Sequence, residues 1–324
     1  MTRPVPTAGH THISAPAQFA ADVRYYLSQT PRQLPSEYFY DALGSALFDA
    51  ICRLPWYGIT RAESRLLASH GAGIFQRLAG LSTIVELGPG NGDKLRLLLA
   101  AAGVPDALNV HLVDVSQPAL DLAARAVSES GRVGVVRHCA TYDEGLREAM
   151  AQASGRRLIA FLGSNIGNFD PPGAAAFLSN VRRSVSRQDA LLIGVDLVKP
   201  ERTLLLAYDD PLGVTAAFNR NLLVRINREL GADFNVEQFR HQAVWNASES
   251  RMEMHLVSAC AQHVRVEYAE LDVDFEAGER IWTESSYKYS PDGITALLRS
   301  CGFAVAAQWI DESDRFALTL AEAV

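Results

Sequence analysis

The chain has only four cysteines, Cys52, Cys139, Cys260 and Cys301, and none forms a C-x-x-C pair. That argues against a disulfide framework, a zinc knuckle or a dithiol redox centre, and predicts reduced, mostly buried thiols. The eight histidines also lack metal-ligand spacing; His10 and His12 lie in a Pro/Gly/Thr-rich tail over residues 1–16 that reads as disordered. Basic blocks are missing too. Thirty Lys and Arg are dispersed among 37 Asp and Glu, a net charge of −7, which disfavours a nucleic-acid partner and suits a small-molecule protein. No apolar run approaches the roughly 18–20 residues of a membrane-spanning helix, and the first twenty residues hold no apolar signal core. The expectation is a cytoplasmic monomer that engages neither membrane nor nucleic acid and needs no metal.

What is present is an ordinary globular composition, 48% apolar and 21% charged over 324 residues, enough for one large domain or two ordinary ones. Punctuation becomes regular from Thr60. Thr60-Arg61-Ala62-Glu63 has the form of a capping box, followed by apolar residues at helical spacing. Apolar runs at 83–87, 110–114, 133–136, 158–162 and 190–195 read as buried parallel strands. Helices read at 93–102 and 118–127, and another starts at Asp170-Pro171. Alternating strands and helices imply an α/β fold with a doubly wound, Rossmann-like sheet. The rhythm stops near Pro200 and resumes at Ser290-Pro291, leading to a closing hairpin at 303–310 and 315–320. The expected division is a substrate lobe of 17–59 plus 200–288, and a cofactor domain of 60–199 plus 289–324.

The sharpest local feature is Val85-Glu86-Leu87-Gly88-Pro89-Gly90-Asn91-Gly92, between a strand and a helix. Alternate glycines allow a tight turn and the close approach of a ligand, although such a triplet is also often a plain turn. Its G-x-G-x-G spacing differs from the dinucleotide G-x-G-x-x-G and resembles the first motif of class I S-adenosylmethionine (SAM) methyltransferases. Asp114 ends the next strand, where a carboxylate accepts both ribose hydroxyls of a nucleoside or simply caps a helix. Phe161 to Asp170 follows the fourth strand, at the sheet edge where ligands bind; it reads equally as a loop capping the next helix. Ala207 to Asn221 and Ile281 to Tyr289 are polar-aromatic stretches, the second also readable as a plain alternating strand with Trp282, Glu284, Ser286 and Lys288 on one face.

Longer motifs carry a fuller resemblance. Phe39-Tyr40-Asp41, Arg53-Leu54-Pro55, Val85 to Lys94, Phe161 to Asn168, Ala207 to Asp210, Gly213 to Asn221, Met252-Glu253-Met254 and Thr283-Glu284 resemble the histidine Nα-methyltransferases of ergothioneine biosynthesis, over about Tyr38 to Phe316. The resemblance implies a class I methyltransferase sheet with a substrate-binding lobe. It assigns Glu86, Gly88, Gly90, Lys94 and Asp114 to SAM, with Thr141 and Tyr142 at the adenine edge where the family usually has Asp-Phe. It assigns Tyr57, Asn168 and Tyr208 to the carboxylate and amine end of L-histidine. Glu284 and Ser286, with Met254, Gly163 and Ser285 alongside, go to the substrate and its ring. Tyr40, Phe48 and Phe218 fall around the amine being methylated, and Tyr40 or Tyr57 orients that amine as the catalytic hydroxyl. Asn165 and Ser116 also depart from the family pattern.

The implied activity is three methyl transfers from SAM to the α-amino group of L-histidine, giving hercynine. Another N-methyltransferase of this fold, acting on tryptophan or an indole amine, is the nearest rival. A nicotinamide oxidoreductase is disfavoured by the glycine spacing and by the lack of a catalytic His or Tyr-Lys set. A non-catalytic SAM or nucleoside sensor is a third alternative.

Overall fold

The computed structural model describes residues 15–102, 108–131 and 133–324. The expected tail thus falls outside the described residues up to position 14, as do His10 and His12, and Ala15–Leu27 is already a helix. The chain divides into two units, one of residues up to 57 with 200–286, the other of 58–199 with 287–324.

The second unit is built on seven strands: Leu81–Leu87, Asn109–Asp114, Gly134–Cys139, Arg156–Phe161, Ala190–Asp196, Phe303–Asp311 and Phe316–Ala323. Across the sheet their order is third, second, first, fourth, fifth, seventh, sixth. The first five are mutually parallel. The closing hairpin joins the fifth strand antiparallel, through Phe316–Ala323. Helices cover a parallel sheet on both faces, so its central strands are mostly apolar; Leu191, Leu192, Ile193 and Val195 are all fully buried. Strand order reverses between the first and fourth strands, and a doubly wound sheet opens its ligand crevice beyond the carboxyl ends at that point.

Helix starts follow short-range chemistry. Asp170 accepts from Gly173 N at 2.8 Å and Ser290 from Gly293 N at 2.9 Å, each with proline in the first turn. The capping box at Thr60 does not form. The helix begins earlier and runs Gly58–Arg77, which puts Glu63 in its second turn, where it is fully buried and bonded to distant partners. The sequence reading also lacks the helix Tyr142–Gln152, whose cap is Thr141. The thiol expectation fails for most of the cysteines: Cys139 and Cys260 are exposed, Cys52 is half-buried, and Cys301 alone is buried.

In the first unit, strands Arg32–Gln33, Arg280–Tyr287, Arg251–Ser258 and Phe239–Asn246 form one sheet in that order. Helices Ala42–Ile51, Glu201–Tyr208 and Val214–Leu230 belong to the same unit. Asp210, 3% exposed, accepts from Leu212, Val214 and Thr215 N–H groups and so starts the last of these helices. Part of the Ala207–Asn221 polar stretch is therefore helix-start chemistry. Among the described residues, no helix is long and apolar enough to cross a membrane.

Candidate active site

In the second unit the site is assembled at the carboxyl ends of the first, second and fourth strands. Gly88 N donates to Val113 O at 2.8 Å, drawing the glycine loop across the end of the neighbouring strand. Gly88 has φ +69°, and a Cβ there would stand 2.7 Å from Asn165 Nδ2 and 2.8 Å from the Tyr142 hydroxyl. Only glycine keeps that gap open. Gly90 also takes a positive φ, of 57°. Asp114, at the end of the second strand, accepts from Ser116 N at 2.9 Å. Burial raises its carboxyl pKa, opposed by the Ser116 and Val115 N–H groups. A carboxylate has about four acceptor sites, so capacity remains for a ribose diol.

Glu86 lies inside the first strand and is 1% exposed. Its Oε2 is buried without a hydrogen-bond partner among the described residues. Burial pushes its carboxyl up to about 8; Lys94 pulls it down, while Glu63 and Asp114 push it further up. An unmet buried carboxyl oxygen calls for a donor, preferably a cationic one. The ammonium of a methionine-like tail has that character. Orphaned oxygen, glycine gap and strand-end carboxylate together fit SAM.

Lys94 ion-pairs with Glu63 at 2.9 Å, and Gly163 N donates to both Glu63 oxygens at 2.9 Å. Glu63 thereby ties the helix carrying Lys94 to the loop after the fourth strand. A Cβ on Gly163, φ +78°, would come within 2.5 Å of Lys94 Nζ. The next residue, Ser164, is left-handed with φ 61°, held there as its Oγ accepts from Asp196 N at 2.9 Å. Strain of this kind gathers at binding sites. Asn168 ends the following short turn and is exposed. Thr141 Oγ1 accepts from Glu144 N at 3.4 Å and donates to Glu144 Oε2 at 3.1 Å, so its hydroxyl serves the helix start. Thr141-x-x-Glu144 is itself a capping box, a signal the sequence carries. Tyr142 stands edge-on to Phe161 at 5.4 Å, and burial, then Asp114, raises its phenol pKa.

In the first unit, four rings predicted near the amine come together. Phe48 lies 5.7 Å from Tyr40, 5.9 Å from Phe218 and 6.3 Å from Tyr57. Tyr40 lies 5.9 Å from Phe218. Burial raises the Tyr57 phenol pKa well above its ordinary value, and Tyr208, Cys52, Tyr40 and Glu284 add to the effect. Tyr57 therefore stays a neutral phenol near Glu284. Tyr208 donates to Ser286 Oγ at 2.8 Å, so residues assigned from sequence to opposite ends of the substrate are directly bonded. Met254 is 2% exposed, and its carbonyl accepts from the Thr283 hydroxyl at 3.0 Å. Trp282 Nε1 donates to the Glu284 carbonyl at 2.8 Å. The plain alternating strand holds only in part: Ile281 and Thr283 are buried while Trp282 and Glu284 are half-buried, but Ser286 and Tyr287 are both buried. Ser285 is half-buried.

A parallel sheet reversed at its centre, with a glycine cradle on the first strand and a carboxylate ending the second, defines a class I SAM-dependent methyltransferase. The chain belongs to the histidine-specific, SAM-dependent methyltransferase family, whose pattern it matches over residues 19–323. The histidine N-alpha-methyltransferase of Mycolicibacterium smegmatis is 44% identical over 310 residues, 95% of this chain and 96% of that protein. Ergothioneine biosynthesis protein 1 of Neurospora crassa is 30% identical over 270 residues, 78% of this chain and 31% of that protein. The 4-dimethylallyltryptophan N-methyltransferase of Penicillium roqueforti is 24% identical over 299 residues, 87% of each.

Proposed function

We propose that this chain carries three methyl groups, one after another, from SAM to the α-amino nitrogen of L-histidine, giving hercynine for ergothioneine biosynthesis. The observation that carries the reading is the grouping, in one unit, of four rings with Glu284 and the Tyr208–Ser286 pair. When bound, SAM supplies a methyl group already activated on a sulfonium. The protein's task is alignment, and positioning of this kind is worth roughly 7–11 kcal/mol of barrier. Glu86 holds the methionine-like ammonium, Asp114 the ribose, and Tyr142 lies along the adenine, with Gly88 and Gly90 leaving room for the cofactor and Lys94 fixing the cradle through Glu63. Glu284 accepts from the imidazole N–H; Ser286, with Ser285 and Met254, completes the ring's surroundings. Tyr208 serves the carboxylate end. Tyr57, kept neutral, orients the amine rather than deprotonating it, and the proton leaves to water. Tyr40, Phe48 and Phe218 favour the growing ammonium through cation–π attraction. No metal takes part.

Purified protein, SAM and L-histidine should give products heavier by one, two and three methyl groups in mass spectrometry, with L-tryptophan methylated far more slowly. Absence of transfer to histidine overturns the reading. Glu284→Ala should strongly reduce kcat/KM for histidine; a change within about twofold, under roughly 0.4 kcal/mol, would make Glu284 a bystander.

A further inference from the structure

His241 lies on the strand Phe239–Asn246, and its side chain is 2% exposed. None of the motifs above contains it. Its Nε2 stands 2.8 Å from the carbonyl oxygen of Tyr208, the last residue of the helix Glu201–Tyr208. A carbonyl only accepts, so Nε2 carries a hydrogen and donates. The last carbonyls of a helix have no partner inside it, and His241 supplies one. The other ring nitrogen, Nδ1, lies 2.9 Å from Asn219 Nδ2. That same amide nitrogen donates to the His255 carbonyl at 3.1 Å. The His255 carbonyl can only accept, which fixes Asn219 with its NH2 on that side and leaves its Oδ1 buried without a partner among the described residues. Nδ1 therefore accepts and carries no hydrogen.

The ring is thus neutral, with its proton on Nε2. Burial, the largest influence, lowers its pKa; the Tyr208 carbonyl, Asp209 and Asp210 oppose this and Arg220 adds to it. A protonated ring would turn a second N–H against the Asn219 amide hydrogens. Tyr208, whose backbone His241 grips, reaches Ser286 Oγ at 2.8 Å with its hydroxyl, and both residues are buried. The chain of contacts runs from Asn219 to His241, to the Tyr208 carbonyl, and through the Tyr208 ring to Ser286.

We propose that His241, held in its neutral Nε2–H form by Asn219, is a positioning residue for histidine binding: it locks the end of the Tyr208 helix so that the Tyr208 hydroxyl stays on Ser286. The proposal rests on the reading that Tyr208 and Ser286 contact the substrate. His241 itself touches neither substrate nor cofactor. Its loss therefore raises KM for histidine while leaving SAM binding and the alignment of the methyl group nearly intact.

Two variants and one spectrum test this. His241→Leu removes the donor; His241→Gln keeps an N–H that reaches a carbonyl. His241→Leu should raise KM for histidine about tenfold with kcat changed by less than about threefold. SAM affinity, measured by calorimetry, should stay within about twofold, and His241→Gln should recover most of the loss. A KM rise below about threefold in His241→Leu, or equal impairment in both variants, overturns the proposal. So does a parallel loss of SAM affinity, which marks general damage. Nitrogen-15 spectra of the wild-type ring, assigned by difference from His241→Gln, need no folded leucine variant. A neutral ring protonated at Nε2 supports the proposal, and a proton on Nδ1 overturns it. Tyr208→Phe tests the underlying reading separately: an unchanged KM for histidine there removes Tyr208 from the pocket whatever His241 does.

Discussion

Two carboxyl groups of the glycine cradle differ in environment, and each gives a measurable consequence. Glu86 has its pKa raised to about 8 in the folded chain, mainly by burial. Between its ordinary value and that one, the folded state keeps a proton that the unfolded chain has released. Its contribution to stability is therefore present at low pH and is lost as pH rises through that window. Without ligand, the thermal midpoint should fall from about pH 5 to about pH 8, and Glu86→Gln should remove much of that slope. Parallel pH curves for the two proteins would show that the group titrates elsewhere. Asp114 is half-buried and keeps acceptor capacity beyond its bond to Ser116. Asp114→Ala should weaken SAM binding by about 1.5–3 kcal/mol, the scale of hydrogen bonds to a charged group. Calorimetry that finds SAM affinity unaltered would take Asp114 out of the site.

Elements of the second unit are tied by buried polar contacts as well as by apolar packing. The Glu63 carboxylate, fully buried, faces Lys94 on one helix and Gly163 N on the loop after the fourth strand. Lys94→Ala should destabilise the protein by about 2–3 kcal/mol, somewhat less than the ~3–5 of a fully buried pair, because Lys94 is a quarter exposed and water reaches its place. Urea unfolding with an unchanged m-value measures this. A loss under about 0.5 kcal/mol would mean that Gly163 N–H alone satisfies Glu63. Asp170→Ala, by contrast, removes a single cap and should cost about 0.5–2 kcal/mol without affecting SAM affinity.

At the scale of the whole molecule, the expected outcome is discrimination between small amines. Histamine carries the imidazole and an amine but lacks the carboxylate assigned to Tyr208. It should be a very poor substrate beside L-histidine in the same mass-spectrometric assay. Equal turnover of the two would cancel that assignment while leaving the proposed ring contact of Glu284 untouched. Phenylalanine keeps the carboxylate but loses the ring N–H that the proposed function gives to Glu284. Rejection by about 10⁴-fold is the scale for such an analogue. Methyl transfer should also persist in a strong chelator; its abolition would require a metal ion in the reaction.

Features whose causes are local can be read from the order of the residues. Apolar runs form parallel strands, since a strand buried on both faces is apolar at most of its positions. Asp170 and Ser290 became caps, because a cap acts on the amide three residues on. The closing hairpin and the glycine loop before Asp93–Ala102 were legible for the same reason. Side chains with two competing uses are placed by long-range packing. Glu63 has the spacing of a capping residue, yet it serves Gly163, one hundred positions away. Thr141 has the position of an adenine neighbour, and its hydroxyl also starts the helix Tyr142–Gln152. His241 has no motif at all, and its partners come from residues 22 and 33 positions away. A hydrogen bond between distant segments leaves no period in the sequence. It exists because a buried donor or acceptor must be satisfied, and which group satisfies it is settled only when the sheets and helices have brought the candidates together.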